Sequence, residues 1–210
     1  MSTSREYDRT DGREDEIMRG VYRALCEQGI ADVTMDDIAD CAEVSPSLLH
    51  YHYDTKRNLL LSYLEYAREW HETRIAAVRE DHDGAIDQLS AVLDTFVDDP
   101  GDYNRAYLQL RLQAVHDEEM RRACRARRET IIGELAAIIE AGIEAGEIRP
   151  GDPDRMARNI YTFMDGARVQ HIVLGDDALP RATKRDALAY LDRDGERYIP
   201  YFSIKNVGFD

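Results

Sequence analysis

Lysine, cysteine and long apolar runs are what this chain has least of. It carries three lysines (Lys56, Lys184 and Lys205) against 24 arginines. Its cysteines, Cys26, Cys41 and Cys124, are widely spaced, form no CxxC pair and are odd in number. That excludes a closed disulfide framework and points to reduced, mostly buried small residues. No apolar stretch approaches the ~20 residues that span a bilayer, and the first ten residues lack the apolar centre of a signal peptide. The expectation is a cytoplasmic protein with no membrane partner. Little in the chain alternates with a period of two, so sheet is not expected. No Ser/His/Asp order, glycine-rich phosphate loop or carboxylate pair supports catalysis, and neither enzyme activity nor a cofactor is expected.

What the chain has in excess is acid. Its 42 carboxylates outnumber 27 bases, for a net charge of −15. Such a balance resembles that of cytoplasmic proteins from salt-loving microbes, whose surface carboxylates hold water; a GC-rich genome favouring Arg and Asp codons accounts for it equally. In dilute salt this charge opposes a nucleic-acid partner. In molar salt the Debye length falls to about 3 Å and distant carboxylates barely repel phosphate.

The apolar pattern is helical almost throughout. Ile17, Val21, Ala24 and Leu25 recur at i, i+4, i+7 and i+8 until Gly29 supplies a stop. Met35, Ile38, Ala39 and Ala42 repeat the pattern briefly after a capping-box start at Thr34 and Asp37. Ser45 and Pro46 open a third segment of only two turns, because Asp54 and Thr55 begin another. A long helix is expected over 56–79, with further helices over 84–98, 103–115, 118–145, 153–174 and 183–194. The class is all-α. The aromatic tail, 198–210, has no regular pattern, and whether it packs on a helix or on a partner subunit is not decided by the sequence.

Three helices, the second and third very short, make the outline of a helix-turn-helix unit. In the third, Leu49 and Tyr53 lie four apart and face inward, leaving Pro46, Ser47, His50 and Tyr51 outward. This outer patch gathers histidine, tyrosine, serine and lysine with a single carboxylate, Asp54, in an otherwise acidic chain. His50 and His52 do not suit a metal: on a helix, positions two apart diverge by roughly 200°.

The stretch 34–60 resembles the DNA-binding domain of the TetR/AcrR family of transcriptional regulators. The resemblance is carried by Thr34, Ile38, Ala39, Ala42, Val44, Ser45, Leu49, Tyr51, His52, Tyr53, Lys56, Leu59 and Leu60. Residues 144–154, and the apolar helix after them with Met164, Asp165 and Gly166, resemble the ligand-binding half, nearest the subgroup around the choline-responsive betaine regulator. The likeness covers about 11–71 and, more loosely, 130–175. It implies a DNA-binding domain over 11–71, with the helix-turn-helix at about 34–53, and a ligand-binding and dimerisation domain over 72–210. It implies a homodimer on a pseudo-palindromic operator, acting as a repressor under a small-molecule effector. An activator or chromosome-organising protein on the same scaffold is the nearer rival; a helical small-molecule binder with no DNA role is the other.

Site residues follow from the same resemblance, helped by chemistry. Ser45, Pro46, Ser47 and Leu48 lie nearest the bases; His50, Tyr51 and His52 bond phosphates or pack on sugars. Lys56 pairs with a phosphate at the start of its helix, and Thr34 does likewise from the second helix. Glu43 stands where many relatives have glycine, so either a left-handed turn there costs about 1–2 kcal/mol or the turn differs from theirs. His50 replaces the usual tyrosine, making contact there sensitive to pH. No Arg, Asn or Gln lies on the recognition helix, so DNA shape, water or the N-terminal arm, with Arg5, Arg9 and Arg13, carries specificity instead. Pocket residues are expected at Phe96, Tyr103, Tyr107, Gln113, His116, Tyr161, Met164, Arg168 and His171, with Arg168 favouring an anionic inducer. Dimer contacts are expected at Met156, Ile160, Phe163, Ala167, Gln170 and Leu174, and at Ala187, Leu188, Tyr190 and Leu191. The basic run 121–128 reads as a solvated face.

Overall fold

The computed structural model describes residues 12–97 and 103–192, apart from the side chain of Tyr103. Arg5, Arg9 and the aromatic tail lie outside the described residues. Those described form helices α1 (Arg13–Asp32), α2 (Met35–Ala42), α3 (Pro46–His52), α4 (Lys56–Asp81), α5 (Ala85–Val97), α6 (Tyr103–Gln113), α7 (Glu118–Ala145), α8 (Pro153–Leu174) and α9 (Leu179–Leu191). Among them no strand forms; one isolated bridge joins Ile148 and Asp192. No described helix is long and apolar enough to cross a membrane.

Two compact units emerge. The first holds the described residues of 12–73 with 103–130, the second those of 74–97 with 131–192. The unit that carries the helix-turn-helix therefore also takes in α6 and the first part of α7, well beyond the 11–71 expected of a DNA-binding domain. Its core is built on Ile17, Val21, Leu25, Ile38, Leu49, Leu59 and Leu64, with Ala106, Leu110 and Met120 from the later segment. In the second unit Leu89, Val92, Leu93, Leu135, Ile139, Ile160, Met164 and Leu191 make a separate, largely aliphatic core.

Local chemistry sets the boundaries. Gly29, at φ 79, breaks the helical course of α1 as its position predicts. Gly20 is needed for space: a Cβ there would stand 2.4 Å from the Ala42 Cβ, so α1 and α2 cross in direct backbone contact. Glu43 takes φ 57 and ψ 36, the only described non-glycine residue at positive φ. The left-handed turn expected of glycine is thus kept by a glutamate. α9 starts earlier than the 183 expected, because Asp176 accepts from the backbone N–H groups of Ala178 and Leu179, both at 3.2 Å. Pro180 then sits in the first turn, where a missing N–H costs nothing.

Candidate nucleic-acid interface

The recognition helix is defined at both ends. Ser45 Oγ accepts from the Leu48 N–H at 3.2 Å, and Pro46 takes the first helical position. Tyr53 turns extended and closes α3 by donating its N–H to the Leu49 carbonyl at 2.9 Å. Leu49 is buried, with Val44 and Tyr53 half-buried beside it. Ser45, Pro46, Ser47, His50, Tyr51 and His52 are exposed and Leu48 is half-buried. Tyr51 stands 83% exposed, with the His52 ring edge-on to it at 5.2 Å. A large aromatic side chain left in water offers its face and hydroxyl to a sugar-phosphate surface.

Thr34 forms the expected capping box, with a consequence for its other assigned role. Its N–H and hydroxyl both donate to Asp37 Oδ2, at 2.8 and 2.5 Å, while Oγ1 accepts the Asp37 N–H at 3.2 Å. These donors hold the Asp37 carboxyl below its usual range, the hydroxyl contributing most. A phosphate reaching Thr34 must displace bonds already made.

Lys56 also has a task that the sequence did not disclose. Its ammonium donates to the carbonyls of Ile30, at 3.2 Å, and Val33, at 2.8 Å, pinning the loop that follows Gly29. An ammonium has three donors, so one remains for a phosphate. Beside it, Arg57 makes a paired contact to Asp117, Nε at 2.5 Å and Nη2 at 2.9 Å, and reaches Glu119 at 2.9 Å. The guanidinium holds the Asp117 carboxyl down to about 2, helped by the N–H groups of Met120 and Glu119.

Sequence reading overlooked a cleft of about 550 Å³ beside the turn between α2 and α3, lined by Arg13, Glu16, Arg19, Tyr22, Arg23, Ala42 and Glu43. Arg19 and Arg23 lie four apart on one face of α1, a spacing that carried the signal. Arg13, at the end of the arm, is paired with Glu16 at 3.7 Å.

The residues chosen for an effector pocket divide between the units. In the first, Tyr107 is buried beneath the Arg127 guanidinium, 4.0 Å from its ring, while Gln113 and His116 are exposed. Arg127 is 1% exposed and donates to His71 Nε2 at 2.6 Å. The run 121–128 is therefore not all solvated face: consecutive positions pass right round a helix, so one arginine must point inward. A guanidinium only donates, which assigns the acceptor role to His71 Nε2. In the second unit Phe96, Tyr161, Met164 and Arg168 are buried, Phe96 and Tyr161 edge to face at 6.0 Å. Arg168 lies over Phe96 at 5.2 Å and pairs with Asp165, so its charge is answered within the chain and no longer argues for an anionic inducer. His171 is half-buried, 3.1 Å from Asp177.

Of the side chains assigned to a dimer contact, Met156, Ile160, Ala167, Ala187 and Leu191 are buried inside the second unit of a single chain. They leave almost no surface for another copy, because the apolar stripe of each helix is consumed by its own core. Phe163, Leu188 and Tyr190 are half-buried, Gln170 and Leu174 exposed. The outer face of α8 instead presents Thr162, Gly166, Gln170 and Val173, with Val173 64% and Leu174 72% exposed.

Comparison with known proteins agrees with this architecture. Residues 17–63 match the model for bacterial regulatory proteins of the tetR family, and residues 85–194 that for the C-terminal part of BetI-type transcriptional repressors. A TetR transcription regulator from Haloarcula marismortui is similar in structure, with a TM-score of 0.77, 32% identity, and coverage of 85% of this chain and 96% of that one. The HTH-type transcriptional regulator BetI of Stenotrophomonas maltophilia is 24% identical over 86% of this chain and 91% of its own. A regulator from Saccharomonospora viridis, solved with choline, shares the fold at a TM-score of 0.75 and 20% identity, over 84% of this chain and 94% of that one. With more than half of its length matched by one family model and its recognition helix built as described, the chain belongs to the TetR family of transcriptional regulators, which are DNA-binding proteins and not enzymes.

Proposed function

We propose that the chain is a cytoplasmic, ligand-responsive repressor that binds a pseudo-palindromic operator as a homodimer. The outer side of α3 carries the reading: Ser45, Pro46, Ser47, His50, Tyr51 and His52 stand exposed without one carboxylate in a chain of net charge −15. Ser45, Pro46, Ser47 and Leu48 enter the major groove, while His50, Tyr51, His52 and the remaining donor of Lys56 meet the backbone. Thr34 contributes to the N-terminal end of α2 rather than through its hydroxyl. A helix of two turns reads too few base pairs alone, so two copies bind half-sites about 34–36 Å apart or a multiple of that. The second copy docks on the exposed face of α8, with Phe163, Gln170 and Leu174 retained from the expected contacts and Thr162, Gly166 and Val173 added.

The effector is a small organic molecule held by the second unit. Support comes from the Saccharomonospora viridis regulator, whose shared fold was solved with choline. It releases DNA only by binding more tightly to the state that fits the operator poorly. A gel shift on DNA from immediately upstream of the gene, in dilute and in molar potassium chloride, tests the whole. Retardation in either is expected; its absence in both, with a folded dimer, sinks the reading.

A further inference from the structure

Three elements of the first unit converge on the loop that ends α1, the turn from the break at Gly29 to the Val33 cap. Gly29 turns the chain at φ 79, and Ile30, next along, is gripped on both sides of its backbone. Its N–H donates to Gln109 Oε1 of α6 at 2.6 Å, and its carbonyl accepts from Lys56 Nζ at 3.2 Å. A second carbonyl on the same loop, Val33, takes another Lys56 proton at 2.8 Å. Gln109 comes so close that a Cβ on Gly29 would stand 3.2 Å from its oxygen. The ammonium of Lys56 is thus located by a loop that is itself located by α6. The neighbouring Arg57 contact to Asp117 and Glu119 secures the first turn of α4 from the start of α7.

We propose that Gln109, an uncharged residue of α6 outside the helix-turn-helix, is a positioning residue for backbone phosphate binding, acting through the Ile30 peptide on the ammonium of Lys56. The inference rests on the reading above that Lys56 meets a phosphate. Two hydrogen bonds from one ammonium to carbonyls of one loop leave its third donor a defined direction. Loss of the Gln109 bond frees the loop, and the lysine then searches among rotamers rather than waiting at the phosphate.

The experiment is fluorescence anisotropy with a labelled random-sequence DNA duplex over a series of potassium chloride concentrations, since phosphate binding is independent of sequence. Lys56→Ala should lower the salt slope by about 0.9 for each phosphate it no longer neutralises. Gln109→Met, which keeps shape but loses the acceptor, should lower the slope in the same sense and weaken binding about fivefold, the size of one net hydrogen bond. In a Lys56→Ala background the Gln109→Met effect should vanish. Should the methionine variant not fold, Gln109→Asn, whose oxygen is withdrawn by one methylene, gives the same comparison. A slope unmoved by Lys56→Ala overturns the phosphate reading, and this inference with it. A slope lowered by Lys56→Ala but unmoved by Gln109→Met or Gln109→Asn, or effects that simply add in the double variant, overturns the inference alone. A purely structural glutamine would change melting temperature without touching salt dependence.

Discussion

The two compact units bury polar groups very differently. The first hides Asp15, His71, Asn104 and Arg127; among the described residues the second hides only Arg168. Around the first core run directed bonds, from Gln109 to Ile30, from Lys56 to two carbonyls and from Arg57 to Asp117. The second has directed bonds too, from the Ala85 N–H to Glu147 at 2.8 Å and from Arg149 Nε to the Tyr190 carbonyl at 2.6 Å. Its interior, however, is mainly aliphatic contact among leucines and isoleucines. Apolar packing is non-directional and repacks at modest cost, whereas a hydrogen bond specifies one geometry and penalises the rest. A unit that must present a short helix in register with a groove needs the second kind of constraint. One proposed to accept a ligand tolerates the first.

Substitutions can break or sharpen that contrast. The largest effect is expected from Gly20→Ala, which sets a methyl against the backbone of α2, where its Cβ would lie 2.6 Å from the Ala42 Cα. A loss of about 3 kcal/mol, the upper range for overpacking, should appear as a lower urea midpoint. Trp70, half-buried on α4 and stacked edge-on with His71 at 5.0 Å, is the chain's one tryptophan and reports on the first unit. In the second unit Leu135→Ala should cost a comparable amount, about 2–5 kcal/mol. Its signature should be diminished amide protection within 74–97 and 131–192, measured by hydrogen exchange.

Arg168→Met sharpens the comparison. Asp165 would keep its charge in a site where its side chain is 15% exposed, so roughly 2–3 kcal/mol should be lost. Adding Asp165→Leu should recover most of it if packing is what the second unit requires. Glu43→Gly should act the other way, relieving the left-handed strain at φ 57 and adding about 1 kcal/mol of stability, read as a higher melting midpoint. The same variant removes a carboxylate from the turn before α3 and should tighten binding to any duplex in dilute salt.

The smallest effect concerns acid. Asp117 has its carboxyl depressed from 3.8 to about 2 by Arg57. A depressed carboxylate stabilises the fold above its unfolded value, and that contribution disappears as pH falls from 3.8 through about 2. Asp117→Asn should flatten that part of the stability curve in an acid titration, so that the variant is less stable than the parent at neutral pH and the two converge below about 2; the loss is small because the Arg57 side chain is 45% exposed.

Much of the recognition unit was legible because its signals are local. A capping box at Thr34 and Asp37, a serine and proline at 45 and 46, and an apolar pair four apart are chemistry between near neighbours, and each holds within a few residues. Glu43 in the left-handed region was legible only through the resemblance, which puts a glycine there. The second half was less so: an amphipathic stripe on α8 says that a face is buried but not whether its own chain or another covers it. Met156 and Ile160 answered to their own core. Arg127 and Arg168 were read as surface and pocket charges, and both are buried, one on Tyr107 and the other against Asp165.

By itself the sequence determined the helices, most of their ends and the two-faced character of the recognition helix, because each depends on bonds or periodicities spanning one to four residues; the family followed from the resemblance of 34–60. Tertiary structure alone decided that α6 belongs with the helix-turn-helix, that Gln109 meets Ile30 across 79 positions, and that Arg57 meets Asp117 across 60. Such pairings cost loop-closure entropy that no local pattern records, and they form only when the core of the first unit brings its distant segments into reach.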